Sequence, residues 1–373
     1  MPPPLDSPIL IASRPQIELT GNRSPFVERQ LLQLAITQSD EGLSTLELEL
    51  LNWQSEGSGQ AAGFAFEDEA LLMWGTPIRV KLPGTDGQLA TAFEGEIHAQ
   101  ELIHPGDQAP RLVVLAEDRL ARLRLQRRNA RYERQTASAV VEQIARNHGL
   151  SAQIDGAFGA TLDWLQLGET DLGYARRLCA QHGKRLRLDD RTLHVEPGTQ
   201  TGGSPGQQPL ALQADRDFTQ LRILADLAHQ RTAVVASGFD LRSGEAFSER
   251  ATQSSLSAGG AGTRSGSQML RQAIGDYTEP LWQHGATDAA EAQAWAQQAL
   301  DDRARRFLRL RGTLLPAGNL RCGSAFDLSG VGRRFSVRYV VSQLEHRFDA
   351  EQGLRTQLEA WGAALGEPAE GAA

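Results

Sequence analysis

The chain has 373 residues, 38 Lys and Arg against 46 Asp and Glu for a formal charge of -8, and 40% hydrophobic residues. This length exceeds what one hydrophobic core supports and predicts two or three globular domains. The acidic balance excludes a duplex-DNA binder, whose affinity rests on clustered Lys and Arg.

Cys179 and Cys322 lie far apart and outside any Cys-x-x-Cys pair, so neither a disulfide framework nor a zinc site is expected, and a reducing compartment fits. The start, Met1-Pro-Pro-Pro-Leu-Asp6, lacks a basic region followed by an apolar core. No apolar run is long enough to span a bilayer. Synthesis in the cytoplasm with no membrane insertion is the expectation.

In chain order, the stretch 17–115 carries strand signals: Leu46-Glu-Leu-Glu-Leu50, Ile78-Arg-Val-Lys-Leu82, Ala92-Phe-Glu-Gly-Glu-Ile97 and Arg111-Leu-Val-Val-Leu115. Gly, Pro and Asp at 54–63 and 83–87 supply turns between them, which predicts an antiparallel barrel or sandwich. Near Thr136 the apolar period changes from two to 3.6. Val140, Val141, Ile144 and Ala145 share one face of a helix capped by Thr136 and ended by Gly149. A second helix starts at Thr170 and runs to Gly183, followed by strands over 185–188 and 193–195 with a turn at Asp189-Asp190-Arg191.

The run 197–209, rich in Gly, Pro, Gln and Ser, reads as a linker. Strands resume at 221–224 and 233–236. The Gly- and Ser-rich stretch 254–267 is expected to be mobile. A long helix is predicted over about 288–311, with Glu291 placed for a capping box and Gly312 as its stop. The last residues lack enough apolar surface to offset the entropy of ordering them.

The fold class is therefore mainly β with an α/β insert: two similar antiparallel β-barrel domains, the inserted α/β segment and one long helix. The boundaries are 1–130 for the first barrel domain, 131–197 for the insert, 198–209 for the linker, 210–361 for the second barrel domain and 362–373 for a disordered tail.

The similarity of the two β regions rests on a repeat. Phe93-Glu-Gly-Glu-Ile-His-Ala-Gln-Glu-Leu-Ile-His-Pro-Gly-Asp107 matches Phe335-Ser-Val-Arg-Tyr-Val-Val-Ser-Gln-Leu-Glu-His-Arg-Phe-Asp349 without a gap, with Phe, Leu, His and Asp recurring. Upstream, Gly75-x-x-Ile78-x-Val80 answers to Gly323-x-x-Phe326-x-Leu328. Repeated units are evidence about architecture. The competing reading is two unrelated hairpins, which also alternate apolar and polar residues.

Catalytic signatures are absent: there is no Gly-x-Ser-x-Gly elbow, His-Glu-x-x-His helix or phosphate-binding Gly-x-x-x-x-Gly-Lys loop. Gly183-Lys184 and Gly330-Val-Gly332 read as turns. His148-Gly149 and His182-Gly183 end helices, where His complements the helix dipole and Gly supplies a left-handed cap; a shared metal would need further ligands. Glu169 and Asp171 flank a helix start, where acids complement the positive dipole end, against the alternative of paired glycosidase carboxylates. His104 and His346 recur with the repeat and are assigned a shared turn role. Trp164, Trp295 and Trp361 read as core, and Cys179 as a small buried hydrophobe. No catalytic, cofactor-binding or metal residues are assigned.

Trp164, Glu169-Thr170-Asp171, Tyr174, Arg177-Leu178 and Gly183, followed by Leu186-x-Leu188 and Leu193-x-Val195, resemble the segment shared by phage late control protein D and VgrG proteins. The closing run through Gly312, Leu315-Pro-Ala-Gly318, Phe335, Tyr339-Val-Val341, His346-Arg-Phe-Asp349 and Gly353-Leu-Arg-Thr356 is similar to the last barrel of that family. Gly168 departs from the asparagine often found before the acidic triplet.

The resemblance implies a structural baseplate hub of a contractile phage tail, tailocin or related injection system. It implies a homotrimer whose two barrels per chain form a pseudo-sixfold ring between the sixfold tail tube and the threefold spike. VgrG proteins continue into a fused spike; this chain stops soon after the second barrel, so the spike is expected on a separate polypeptide. Tail tube or tube-initiator protein, baseplate wedge proteins and the C-terminus of the tape measure in the lumen are the other implied partners, with no specific nucleic acid. The alternatives are a tail-associated peptidoglycan hydrolase and a cell-wall-binding module.

Overall fold

A computed structural model describes residues 14–40, 42–54, 63–67, 71–198, 208–240, 243–257, 262–286 and 288–366. The chain divides into two compact units. The first gathers the described residues up to Arg119 with Thr313–Arg321 and Gln343–Leu358; the second holds the remainder.

The first unit contains β1 (Gln16–Leu19), β2 (Asn22–Arg23), α1 (Pro25–Gln30), β3 (Leu31–Ser39), β4 (Thr45–Leu51), β5 (Pro77–Pro83), β6 (Leu89–Ile103) and β7 (Arg111–Glu117). These strands pair antiparallel in the order β2-β1-β5-β6-β7-β4-β3. Beyond β3 the ladder continues into Gln343–Asp349, whose His346 faces Ile36 and whose Phe348 faces Leu34. Alternation puts Leu34 and Ile36 of β3, Leu46, Leu48 and Leu50 of β4, and Val114 and Ala116 of β7 on one buried face. Phe348 and Leu354, more than two hundred residues downstream, complete that core.

The second unit begins with β8 (Arg127–Gln135), α2 (Ala137–Asn147), β9 (Ser151–Ile154), β10 (Leu162–Thr170), α3 (Asp171–Gln181), β11 (Lys184–Asp189) and β12 (Thr192–Pro197). β12 pairs parallel with β9 and antiparallel with β11, while β8 and β10 form an antiparallel ribbon. Both helices start on threonine caps: the Thr136 hydroxyl accepts the Ala139 N–H at 3.2 Å and Thr170 accepts that of Gly173 at 3.1 Å. They end where Gly149 and Gly183 take left-handed backbone.

There follow β13 (Leu210–Gln213), α4 (Ala214–Asp217), β14 (Phe218–Ala225), β15 (Ala233–Asp240), β16 (Glu245–Ala251), β17 (Arg264–Ser265), α5 (Gly266–Ala273), β18 (Thr278–Ala286), α6 (Ala289–Ala304), β19 (Leu308–Leu314), β20 (Ala325–Ser329), α7 (Gly332–Phe335), β21 (Arg338–Asp349), β22 (Gly353–Gly362) and β23 (Ala364–Leu365). Ala292, Ala296 and Leu300 of α6 pack on Val234 and Ala236 of β15 and Ala251 of β16.

Three sequence expectations are corrected. The long helix stops at Ala304, and Leu308 to Gly312 belong to β19 because Leu308 and Leu310 alternate with Arg309 and Arg311 at a strand period. Within the stretch expected to be mobile, Ser265 caps α5 with a capping box closed by Gln268, while 258–261 lie outside the described residues. The tail assigned from 362 is ordered through Leu365, which is buried and pairs with Arg264 in β17; 367–373 lie outside the described residues, as do 199–207 of the expected linker.

The same pairing order of five strands occurs twice, the second time with β15 to β18 inserted between its first two strands. A strand and a short helix, β1 and α1, precede β3, β4, β5, β6 and β7, which pair in the order β3-β4-β7-β6-β5. β13 and α4 likewise precede β14, β19, β20, β21 and β22, which pair in the order β14-β19-β22-β21-β20. The glycines match: Gly75 (φ +82°) donates to the Ile97 carbonyl at 2.7 Å, and Gly323 (φ +87°) to that of Val341 at 2.8 Å. Ile78 faces Gly95, and Phe326 faces Tyr339.

This register equates Ile97 with Val341, two residues away from the ungapped sequence match. His346 then stands in the place of Leu102 rather than of His104.

Candidate functional site

Asp171 is only 4% exposed at the start of α3 and gathers three donors: Arg128 Nε at 2.7 Å, His148 Nε2 at 2.8 Å and Gln166 Nε2 at 2.9 Å. Gln166 in turn accepts from the Tyr132 hydroxyl at 3.0 Å, and Tyr132 stacks on Tyr174. Burial pushes the Asp171 carboxyl up, but the bonds from Gln166, His148 and Arg128 outweigh it and hold the group below its ordinary range. Glu169 has its own partner in Arg177, with bonds of 2.8 and 3.0 Å that lower its pKa against a smaller effect of burial.

Two carboxylates held below their ordinary range, Asp171 by Gln166, His148 and Arg128 and Glu169 by Arg177, lack the raised pKa of a general acid. The arrangement ties β8, β10, α2 and α3 together.

The histidines are dispersed. His148 belongs to the Asp171 network, whereas His182 sits against the rings of Phe158 and Trp164, where burial lowers its pKa and keeps it neutral. No group of three or more His, Cys, Asp or Glu suited to a metal occurs among the described residues. His104 is exposed beyond the end of β6, beside Phe64. His346 is wholly buried, its Nδ1 2.9 Å from the Thr356 hydroxyl. The two histidines assigned a shared turn role therefore occupy different environments.

Cys179 is buried, its thiol pushed up to about 12 by desolvation, which makes it a poor nucleophile. Trp164 donates to the Gln135 carbonyl at 2.8 Å, Trp295 packs against the apolar cluster beneath α6, and Trp361 is buried among Ala304 and Val340. Gly183 caps α3, and Gly330 and Gly332 take left-handed turn conformations.

The feature that motif reading missed is the outward face of the first sheet. A groove of about 420 Å³ runs across β3, β4, β7 and Gln343–Asp349. Ala35 lies between Arg347 and Glu47, and Thr37 between Glu345 and Thr45, with Glu49, Glu117 and Asp349 also lining the groove. Acids outnumber bases there, although Glu49 is paired with Arg111 and Asp349 with Arg355.

In the second module the sign reverses. β4 reads Leu46-Glu-Leu-Glu-Leu50, whereas its counterpart β19 reads Leu308-Arg-Leu-Arg311, with Arg309 and Arg311 reaching Glu359 at 3.7 and 2.8 Å.

A family model described as the Alg8 N-terminal domain matches residues 16–350. The chain belongs to that family. No curated protein sequence matches it. Among solved structures, the chain is similar to the 43 kDa tail protein of prophage MuSo2 from Shewanella oneidensis, at 13% identity and TM-score 0.65, over 93% of this chain and 97% of that one. It is similar to the tail protein from Neisseria meningitidis MC58 at 13% identity and TM-score 0.62, over 94% and 96%.

An Escherichia coli protein described as a component of the type VI secretion system, with structural similarity to bacteriophage T4 tail proteins, matches at 16% identity and TM-score 0.56, over 92% of this chain and 76% of that one. At such identities the likeness is one of fold. The chain shares the tail-protein fold across nearly its whole length, and none of its described helices is long and apolar enough to cross a membrane.

Proposed function

We propose that this chain is a non-catalytic baseplate hub of a contractile phage tail, tailocin or related injection system, of the late control protein D and VgrG type. Three copies form a ring that adapts the sixfold tail tube to a threefold spike. The observation that carries this reading is near end-to-end agreement with two tail proteins by a chain that holds one strand module twice. Two modules per chain and three chains per ring give six similar positions from threefold symmetry.

Tube or tube-initiator protein, wedge proteins and the tape-measure C-terminus in the lumen are the remaining partners in this reading. The chain is made in the cytoplasm and assembled from there into the particle. The net charge of -8 suits a channel that passes DNA or unfolded protein without holding it.

The test is co-sedimentation of the purified chain with the tube and spike proteins encoded beside it. Joint assembly into a defined complex is expected. A chain that stays monomeric at all working concentrations, and fails to assemble when those proteins are added, contradicts the proposal.

A further inference from the structure

Within the chain, β21 outgrows β20: its N-terminal part pairs with β20, and Gln343–Asp349 pairs with β3. β6, the counterpart of β21, also outgrows its neighbour β5. From Pro77 onward β5 covers β6 only as far as Glu96, and among the described residues 99–103 pair with β7 alone. β14, the counterpart of β3, pairs with β19 alone among the described residues. Among the described residues each module therefore contains the same two edges, joined once within the chain and left open once.

Burial records the difference. Leu34 and Ile36 on β3 are 2% and 0% exposed, whereas Leu221 and Ile223, at the matching places three and five residues beyond the start of β14, are half-buried. His346 on β21 is 0% exposed, whereas Leu102 in the same place on β6 is 57% exposed. Open strand edges with uncovered apolar side chains are templates for a further strand.

We propose that residues 99–103 of one copy add antiparallel to β14 of a second copy, repeating between chains the join that Gln343–Asp349 makes with β3. Transferring the register in which His346 faces Ile36 puts Leu102 opposite Ile223, so the exposed leucine covers a half-buried isoleucine. The contact is heterologous. It closes a ring at three copies, as the hub reading on which it rests requires, and would otherwise propagate as a filament.

The test mixes two full-length variants, Leu102→Cys and Ile223→Cys, differently tagged and co-expressed, followed by mild oxidation. Directly opposed residues on antiparallel strands lie within disulfide reach. The expected result is a mixed-tag dimer band on non-reducing gels, absent when either variant is oxidised alone and absent when Ile223→Cys is replaced by Leu224→Cys on the opposite face. A wild-type trimer whose mixed variants remain trimeric but do not cross-link overturns this inference and leaves the hub reading standing. A wild-type chain that is monomeric throughout overturns both. Crosslinking by the Leu224→Cys control to the same extent also overturns the proposed register.

Discussion

Arg79 and Glu94 face each other across β5 and β6 with an ion pair of 2.7 Å, and at the matching position of β20 and β21 the charges are exchanged, Asp327 accepting from Arg338 at 2.8 Å. The exchange recurs on the central strands, where Glu47 and Glu49 of β4 answer to Arg309 and Arg311 of β19. The two modules thus agree in the order of their five central strands and in glycine placement while differing in surface sign and in the leading strand, which is antiparallel to β5 in the first and parallel to β20 in the second. A partner with strict sixfold symmetry would meet two unlike faces, and a copy of the chain can tell one module from the other.

Gly75 and Gly323 give the simplest check of that equivalence. Both have left-handed backbone, and a Cβ added at either meets no atom within 4 Å. Gly75→Ala and Gly323→Ala should each cost about 1–2 kcal/mol, a purely conformational penalty of similar size at the two sites. Chemical denaturation of both variants measures it. A negligible effect at one site alone would argue against matched turns.

His346 should make the first unit acid-sensitive. Burial, with a smaller contribution from Arg321 and against the opposing Leu320 backbone, pushes its imidazole down to about 4 from an unfolded value of 6.5. The unfolded chain binds this proton first as pH falls. The His346 contribution, about 3 kcal/mol, is therefore complete above pH 6.5 and is lost progressively towards pH 4. The double variant His346→Leu with Thr356→Val removes the histidine without stranding the buried hydroxyl. Its stability should vary less than that of the wild type between pH 6.5 and 4.5 in urea titrations.

The Asp171 network predicts a structural loss with no catalytic one. Asp171→Ala leaves Arg128 and His148 without their carboxylate and should cost about 3 kcal/mol. Glu169→Gln, at a half-exposed pair, should cost under about 1 kcal/mol. Neither carboxylate is set up as a general acid, so the wild type should release no soluble fragments from purified sacculi. Robust turnover abolished by Glu169→Gln would favour the hydrolase alternative, and retention on sacculi without turnover would favour the wall-binding one.

The first unit should not fold from its N-terminal sequence alone. A fragment spanning 1–130 lacks the seven-residue pairing of Gln343–Asp349 with β3, the core side chains Phe348 and Leu354, and the Asn319 side chain that bonds Thr85 at the β5–β6 turn. Such a fragment should show no cooperative thermal transition, whereas the full chain should.

Local signals were legible because they are written in neighbouring residues. Thr136, Thr170 and Asp288 cap the helices that their spacing predicts, and the strands over 46–50, 78–82, 92–97 and 111–115 follow from alternation. α5 was missed although Ser265 and Gln268 carry a capping-box pattern, because surrounding glycines and serines dilute it. The repeat was visible, but its register was not: a two-residue shift keeps every side chain on its own face, and only the bonds from Gly75 and Gly323 fix the alignment. The reversal from Leu-Glu-Leu-Glu to Leu-Arg-Leu-Arg stands openly in the sequence and acquires meaning only when topology makes β4 and β19 equivalent.

The central claim is that this chain works as a ring of three. Native mass spectrometry of the purified full-length protein tests it most directly. Three copies of a 40.6 kDa chain predict a species near 122 kDa that persists on dilution. A single species at the monomer mass across the working concentration range, with or without the tube and spike proteins, would contradict it.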